Sequence, residues 1–289
     1  MLTNIFDTHA HYDDEAFNED RTEVLGTTLP EGGVVRVVDC AVDLLSSVRV
    51  LDLAHEYDYV YAALGIHPEQ AGEERKGDLD MIAELLEKED KAVAIGEIGL
   101  DYYWEENAPR DTQVDLFSRQ LALSKDLGLP VIIHDREAHG DTMECLQKYQ
   151  PAGVLHCFSG SVEMMKEATK LGMYIGLGGV VTFKNARKSV EVAAEVPLDK
   201  LVLETDAPYM APVPYRGKRN NSTYIAEVAK KIAEVRGMDP QELIDIFVVA
   251  DNCTDNTAEI AEEAGAIVFR RNNLDQIGKG YALDFCIKA

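Results

Sequence analysis

Eight short, β-rich apolar segments, each followed by an amphipathic stretch, occupy the first 246 residues, and this alternation constrains the fold most. The segments are residues 5–8, 34–39, 59–64, 92–96, 131–134, 153–156, 173–176 and 201–204. Between them the apolar period lengthens to that of a helix. In 222–236, Ile225, Val228, Ala229 and Ile232 fall at i, i+3, i+4 and i+7, with Lys and Glu between them. In 114–127, Phe117, Leu121 and Ser124 keep one face, and Gly128 and Pro130 stop the pattern. Strand–helix alternation over eight units predicts an α/β chain folded as a (β/α)8 TIM barrel. A doubly wound open sheet is the competitor, but no G-x-G-x-x-G or P-loop follows an early strand.

Composition narrows the function. With 46% hydrophobic residues in 289, the chain can bury a sizeable core and is not intrinsically disordered. No apolar run reaches the ~18–20 residues of a membrane span. Residues 1–7 carry no basic flank or apolar signal core, so the expected location is the cytoplasm, with no membrane partner. Acidic residues outnumber basic ones 52 to 28, for a net charge of −24. Such a field repels polyanions at long range and argues against a non-specific, groove-tracking nucleic-acid binder. It leaves room for a nuclease whose bound metal ions dominate the field locally. Cys40, Cys145, Cys157, Cys253 and Cys286 are odd in number and contain no C-x-x-C pair, and they read as reduced thiols.

Histidine placement carries the chemistry. In Asp7-Thr8-His9-Ala10-His11 the two imidazoles close the first segment at i and i+2, so both can face one point. The fourth segment runs into Ala94-Ile95-Gly96-Glu97-Ile98-Gly99-Leu100-Asp101, the fifth delivers His134, the sixth His156, and the eighth ends in Leu203-Glu204-Thr205-Asp206. A barrel brings these strand ends to one mouth. A single histidine at a strand end is more often a hydrogen-bonded structural residue, and H-x-H alone is weak. Glu97 alone could be an ion-pair partner, and Asp206 before Ala207-Pro208 a turn cap. The combination is what points to metal, because four imidazoles and two carboxylates suffice for two divalent ions if one carboxylate bridges. Imidazole-rich ligation favours Zn²⁺ or other late first-row ions. His55 and His139 lack such placement and are expected at the surface.

These residues, with Gly65-Ile66-His67-Pro68, Gly96-Glu97-Ile98-Gly99-Leu100-Asp101-Tyr102, His156-Cys157-Phe158-Ser159-Gly160, Glu204-Thr205-Asp206-Ala207-Pro208 and Arg216-Gly217-Lys218-Arg219-Asn220, resemble the motif series of TatD-type metal-dependent deoxyribonucleases of the amidohydrolase superfamily. The resemblance covers roughly residues 3–246. It implies a dinuclear site holding two divalent ions (Zn, Mg or Mn). His9 and His11 would bind the first ion, Glu97 would bridge, and His134 and His156 would bind the second. Asp206 would ligate the first ion and help activate the attacking water. His67 would lie near the substrate phosphate, either as an acid that meets the substrate directly or as a group that orients others. Asp206, Glu97 and His67 are thus the expected catalytic residues.

Arg216, Lys218 and Arg219 form a basic cluster in an otherwise acidic chain, just past the eighth strand. A solvated loop is the plain reading. Guanidinium forks that match phosphate oxygens at a barrel mouth favour substrate-phosphate binding. The family usually has a Pro two residues after the Asn of this motif; Asn220-Asn221-Ser222 lacks it, which leaves the loop path open. Tyr102, Tyr103 and Trp104 could stack on a nucleobase or pack as a lid on the rim, and Phe158 is similarly open.

The chain is therefore expected to be a metal-dependent hydrolase with a 1–246 barrel domain, cleaving phosphodiester bonds of DNA as an exonuclease on single-stranded or frayed ends. The alternative is hydrolysis of an ester or amide bond at the same site, such as D-aminoacyl-tRNA deacylation. A non-catalytic metal-binding scaffold is disfavoured, because none of the six proposed ligands is missing. Oligomeric state is not encoded legibly. Residues 247–289 change character, with a strand, a turn at Asp251-Asn252-Cys253-Thr254-Asp255-Asn256, a helix and another strand. Residues 248–257 and 278–283 resemble an internal fragment of a family-two glycosyltransferase without its Asp-x-Asp, as a frameshift or rearrangement would leave. This extension is expected to carry neither glycosyltransfer nor any part of the metal site, and to pack outside the barrel or only cover its last helices.

Overall fold

A computed structural model describes residues 2–244, 247–251, 255–263 and 267–271. The chain divides into two compact units, residues 1–240 and 241–289. In the first, eight strands form one sheet in sequence order, every neighbouring pair parallel. They are β1 Ile5–Ala10, β2 Val34–Cys40, β3 Val60–Leu64, β4 Ala92–Asp101, β5 Val131–Arg136, β6 Gly153–Leu155, β7 Tyr174–Leu177 and β8 Leu201–Leu203. Helices fill the crossovers, as parallel connections require. This is the expected TIM barrel.

Local chemistry sets the helix ends. The helix Leu44–Glu56 starts on a capping box in which the Asp43 side chain accepts from Ser46 N and Ser46 Oγ accepts from Asp43 N. Arg110–Leu127 stops at Gly128, whose φ of +67° suits a residue without Cβ. The stretch 222–236 begins with a short 3-10 turn, Ser222–Tyr224, because the Asn221 side chain caps Thr223 N, and continues as the helix Ile225–Arg236. Among the described residues no helix is long and apolar enough to cross a membrane.

Small and branched side chains pack the barrel interior. Val38, Cys40, Ala63, Ala94 and Ile132 form one buried cluster. Ile132 lies two residues before His134 and so on the same face of β5, one row beneath the functional layer. The last seam, between three-residue β8 and β1, is closed by side chains as well as backbone. Asp206 N donates to His9 O (2.9 Å), and His11 N donates to Ala207 O (2.7 Å). Fully buried Asp7 accepts from Thr205 N (3.0 Å), Thr205 Oγ1 (2.5 Å), Ser222 Oγ (2.6 Å) and His9 N (3.2 Å).

In the second unit, β9 Phe247–Asp251 and β10 Ile267–Arg271 pair in parallel, and the helix Thr257–Glu263 lies between them in sequence, so the βαβ-like extension is present. Pro240–Leu243 is a 3-10 turn, and residues 245–246 lie outside the described residues. So do residues 278–283 of the glycosyltransferase-like resemblance.

Because Asp7 satisfies three groups of the β8 end and its following helix turn, Asp7→Ala leaves buried donors unpaired. The expected cost is about 3 kcal/mol of unfolding free energy, read as a lowered urea midpoint by the fluorescence of Trp104.

Candidate metal centre

Five strands, β1, β4, β5, β6 and β8, deliver side chains to one point at the barrel mouth, from within the strand or just past its end. On β1, His9 and His11 turn their Nε2 atoms toward each other at 3.1 Å. The opposite ring atoms are already engaged: His11 Nδ1 with Cys40 O at 2.8 Å, and His9 Nδ1 with Cys40 Sγ at 3.4 Å. A ring that donates Nδ1–H to a carbonyl presents its Nε2 lone pair, the arrangement found in metal-bound histidines.

β4 supplies Glu97 through an irregularity. Its pairing with β5 shifts register between Ile95 and Ile98, a bulge-like break that re-aims a side chain. At Gly99, φ is +142° and a Cβ would meet His134 O at 2.0 Å, so only glycine lets the two strands approach there. Beyond the break Glu97, Gly99 and Asp101 alternate along β4, and the two carboxylates reach either nitrogen of His134: Glu97 Oε1 is 3.0 Å from Nδ1 and Asp101 Oδ2 is 3.0 Å from Nε2.

The two oxygens of Glu97 face different groups. Oε2 lies 3.2 Å from His9 Nε2 and 3.5 Å from His11 Nε2, and Asp206 Oδ1 is 3.5 Å from His11 Nε2. Oε1 lies 2.9 Å from His156 Nε2, 3.0 Å from His134 Nδ1 and 3.6 Å from His67 Nε2. Three triads have donor atoms within 4.8 Å of one another: His9–His11–Asp206, His9–Glu97–His156 and His67–Glu97–His134. His67 belongs to this donor cluster. It follows β3, its Nδ1 accepts from Glu69 N, and its Nε2 turns inward.

Electrostatics agree with the geometry. Burial opposes charge on His11, yet Asp206 and Glu97 raise its pKa to about 10; burial likewise opposes charge on His134, which Asp101 and Glu97 raise to about 10. Burial and the neighbouring His156 push His9 down to about 4. Glu97 stays well below the carboxylate range despite burial, because His156, His9 and His67 surround it. The point between these carboxylates favours positive charge. The donor set fits divalent metals: clustered histidine nitrogens, and a central carboxylate offering one oxygen to each side.

Two participants had no role that the sequence alone assigns. Asp101 is legible there only as the i+4 partner of Glu97. Glu204, fully buried, accepts from Cys157 N through Oε1 (2.5 Å), and the same oxygen stands 3.7 Å from His156 Nδ1. Glycine at 176 makes room for it, since a Cβ there would meet Glu204 Oε2 at 2.3 Å. Burial raises its pKa to about 7. His156 Nδ1 and Glu204 Oε2 have no hydrogen-bond partner. His55 and His139 lie toward the surface, as expected, beside Glu89 (3.0 Å) and Asp135 (2.8 Å).

The centre opens into a cleft of about 940 Å³, whose lining includes His11, His67, Glu97, His134, His156 and Asp206. The basic cluster lines a neighbouring pocket of about 540 Å³ with Phe183, Tyr209 and Met210. There Arg216 stacks on Phe183 (4.2 Å), while Arg219 is held by Asp20 in a two-pronged ion pair (2.8 and 2.5 Å) and donates to Ala16 O. The structure thus brings the six expected ligands and His67 together, and sets Arg216, Lys218 and Arg219 beside the cleft, outside its lining.

The profile of the TatD related DNase family matches residues 6–254. The chain belongs to this family. It is 43% identical over 245 residues to the uncharacterized metal-dependent hydrolase YabD of Bacillus subtilis, covering 84% of this chain and 95% of that one. It is 32% identical over 248 residues to the 3'-5' ssDNA/RNA exonuclease TatD of Erwinia tasmaniensis, covering 83% of this chain and 95% of that one. Among solved structures, the TatD homolog YJJV of Escherichia coli K12 superposes with a TM-score of 0.79 at 35% identity, over 84% of this chain and 95% of that one. Membership in this family makes the protein a metal-dependent hydrolase.

Glu204 is positioned to orient His156. Glu204→Gln is expected to weaken binding of Zn²⁺ or Mn²⁺, read by calorimetric titration, roughly 10–100-fold with the circular dichroism unchanged. Unaltered affinity would leave Glu204 a packing role only.

Proposed function

We propose that the protein hydrolyses phosphodiester bonds of single-stranded DNA from an end, with two divalent ions held around Glu97. The observation that carries this reading is the division of Glu97: one oxygen faces His9 and His11, the other His134 and His156. His9, His11 and Asp206 would hold one ion, His134 and His156 the other, with Glu97 common to both. The resemblance to a 3'-5' ssDNA/RNA exonuclease along most of the chain supports the substrate class.

When bound, such a pair supplies Lewis acidity toward a phosphoryl oxygen and a water of lowered pKa. The chain's own residues do the rest. Asp206 is ionised, its pKa lowered by His11 and the surrounding histidines against the opposing effect of burial. Its carboxylate reaches the mouth from a backbone held at φ +60° by hydrogen bonds to His9 O and from Tyr209 N. Asp206 Oδ1 would take the proton of the attacking water. His67, with Nδ1 occupied by Glu69 N, would keep Nε2 toward the reacting centre. Arg216 and Lys218, in the adjoining pocket, would neutralise phosphates of the strand that extends from the cleft.

The test is release of nucleotides from a single-stranded oligonucleotide by the metal-loaded protein, against release of amino acid from charged tRNA. Strand cleavage is expected, and Glu97→Ala should abolish it and lower metal stoichiometry while the fold remains. Release of amino acid alone would move the reading to ester hydrolysis. Replacing Arg216 and Lys218 by Gln is expected to flatten the salt dependence of strand binding, by about 0.7 in log–log slope for each phosphate no longer neutralised. Arg219→Gln, which breaks the Asp20 pair, should leave that slope nearly unchanged. A chain ending at residue 246 is expected to keep both metals and turnover, since the proposed ligands all lie before it.

A further inference from the structure

We infer that Arg136, stacked on Tyr103 and Trp104 at the rim of the cleft, forms a subsite for one backbone phosphate and the adjoining base of a single nucleotide strand. This rests on the strand-cleaving reading above and adds where the strand is held.

Placement comes first. Arg136 ends β5 two residues beyond His134, and the β4–β5 register sets Arg136 opposite Asp101 as it sets His134 opposite Gly99. Residues two apart share a face, so Arg136 rises on the metal-facing side ~7 Å further out than His134. Arg136 and Trp104 both line the main cleft.

Chemistry comes second. Among the described residues, no carboxylate pairs with Arg136. Two acids beside it in the fold face histidines instead, Asp135 facing His139 (2.8 Å) and Asp101 facing His134 (3.0 Å). Two other arginines near the mouth are consumed, Arg49 by Asp13 (2.9 Å) and Arg219 by Asp20. The Arg136 guanidinium instead lies over the Tyr103 ring at 3.9 Å and the Trp104 ring at 5.4 Å. Stacking occupies the face of the guanidinium and leaves its N–H edge, the edge that matches two phosphate oxygens.

Rigidity comes third. Tyr103 N donates to Asp101 Oδ1 (2.9 Å) and Asn107 Nδ2 to Asp101 O (3.2 Å), so the loop is tied to the strand that carries Glu97. Tyr102 is spent locally, its hydroxyl donating to Asp141 Oδ2 at 2.6 Å. Tyr103 and Trp104, packed edge to face at 4.8 Å, stay 46% and 42% exposed. A lid packed for stability would bury them. A platform that receives a base would not, and every base has a face to stack.

Trp104 is the single tryptophan of the chain, so its fluorescence reports occupancy of this subsite directly. The full-length protein is titrated, with a chelator present to keep the strand intact, with a single-stranded oligothymidylate, an abasic strand of equal length and inorganic phosphate. Saturable quenching is expected from the oligothymidylate, little from the abasic strand, and none from phosphate. Arg136→Gln should weaken oligothymidylate binding roughly tenfold. Arg136→Lys, which keeps the charge without the fork, should recover only part of that loss. Cleavage by the metal-loaded protein is measured in parallel. Cleavage without quenching, and with wild-type affinity in Arg136→Gln, would overturn the subsite and spare the nuclease reading. Quenching without cleavage would support the subsite and overturn the nuclease reading, and neither signal would overturn both.

Discussion

Asp7 joins the fold to the chemistry. A parallel barrel closes only when its last strand meets its first, and here the last strand has three residues. Backbone pairing that short leaves the seam dependent on the loop that follows, and Asp7 fastens that loop through Thr205 and Ser222. The residues so fastened bracket the metal centre: His9 and His11 leave β1 immediately after Asp7, and Asp206 follows Thr205. Burial raises the Asp7 carboxyl to about 6, and its four donors are the compensation for holding it inside. Closing the barrel and bringing Asp206 to within 3.5 Å of His11 are therefore one event.

The second constraint is the approach of β4 to β5. A regular strand would carry Glu97 past the mouth in strict alternation with its neighbours. The register break before Ile98 and the missing side chain at Gly99 let the carboxylate sit centrally, with an oxygen on either side. Glu204 shows the same device on the far wall, where the glycine at 176 admits a buried carboxylate behind His156. One glycine thus lets β5 close up beside Glu97 and the other makes room for Glu204, and the two acids differ in character. Glu97 is held ionised by the histidines around it, whereas Glu204 is pushed up to about 7 by burial. Pairs of carboxylates separated this way divide labour, one at the cluster and one behind it.

Most of the barrel was legible because its signals are local. Each strand needed only a short apolar run, and all eight segments became strands, although the fourth runs on to Asp101 instead of stopping at Gly96. The meeting of the six expected ligands at one point was legible for a similar reason, since strand ends in this architecture converge. What stayed hidden depends on partners distant in sequence. Nothing near Arg219 announces that Asp20 occupies it, 199 residues away. Nothing near Arg136 announces that Asp135 and Asp101 face histidines. Asp7 read as one letter of a motif, because its partners, 198 and 215 residues on, meet it only when the barrel closes.

Charge gives these cations their weight. In a chain of net −24, attraction at long range cannot bring a polyanion to the mouth, so affinity has to come from contacts at short range. Two of the acids that line the cleft already face basic groups, Asp13 facing Arg49 and Asp135 facing His139, and Asp14 accepts a hydrogen bond from Tyr209. Arg136 and the Arg216–Lys218 loop, in the roles proposed for them, would then act on phosphates that have come within reach. A duplex brings one charge per ~1.7 Å of axis, twice the density of one of its strands, and meets the acidic surface broadly. A single strand, on the proposed reading, would bend into the cleft, expose its bases to Tyr103 and Trp104, and meet the acidic surface along a narrow path. The same balance of charge that disfavours a duplex binder therefore favours the single-stranded substrate proposed for this centre.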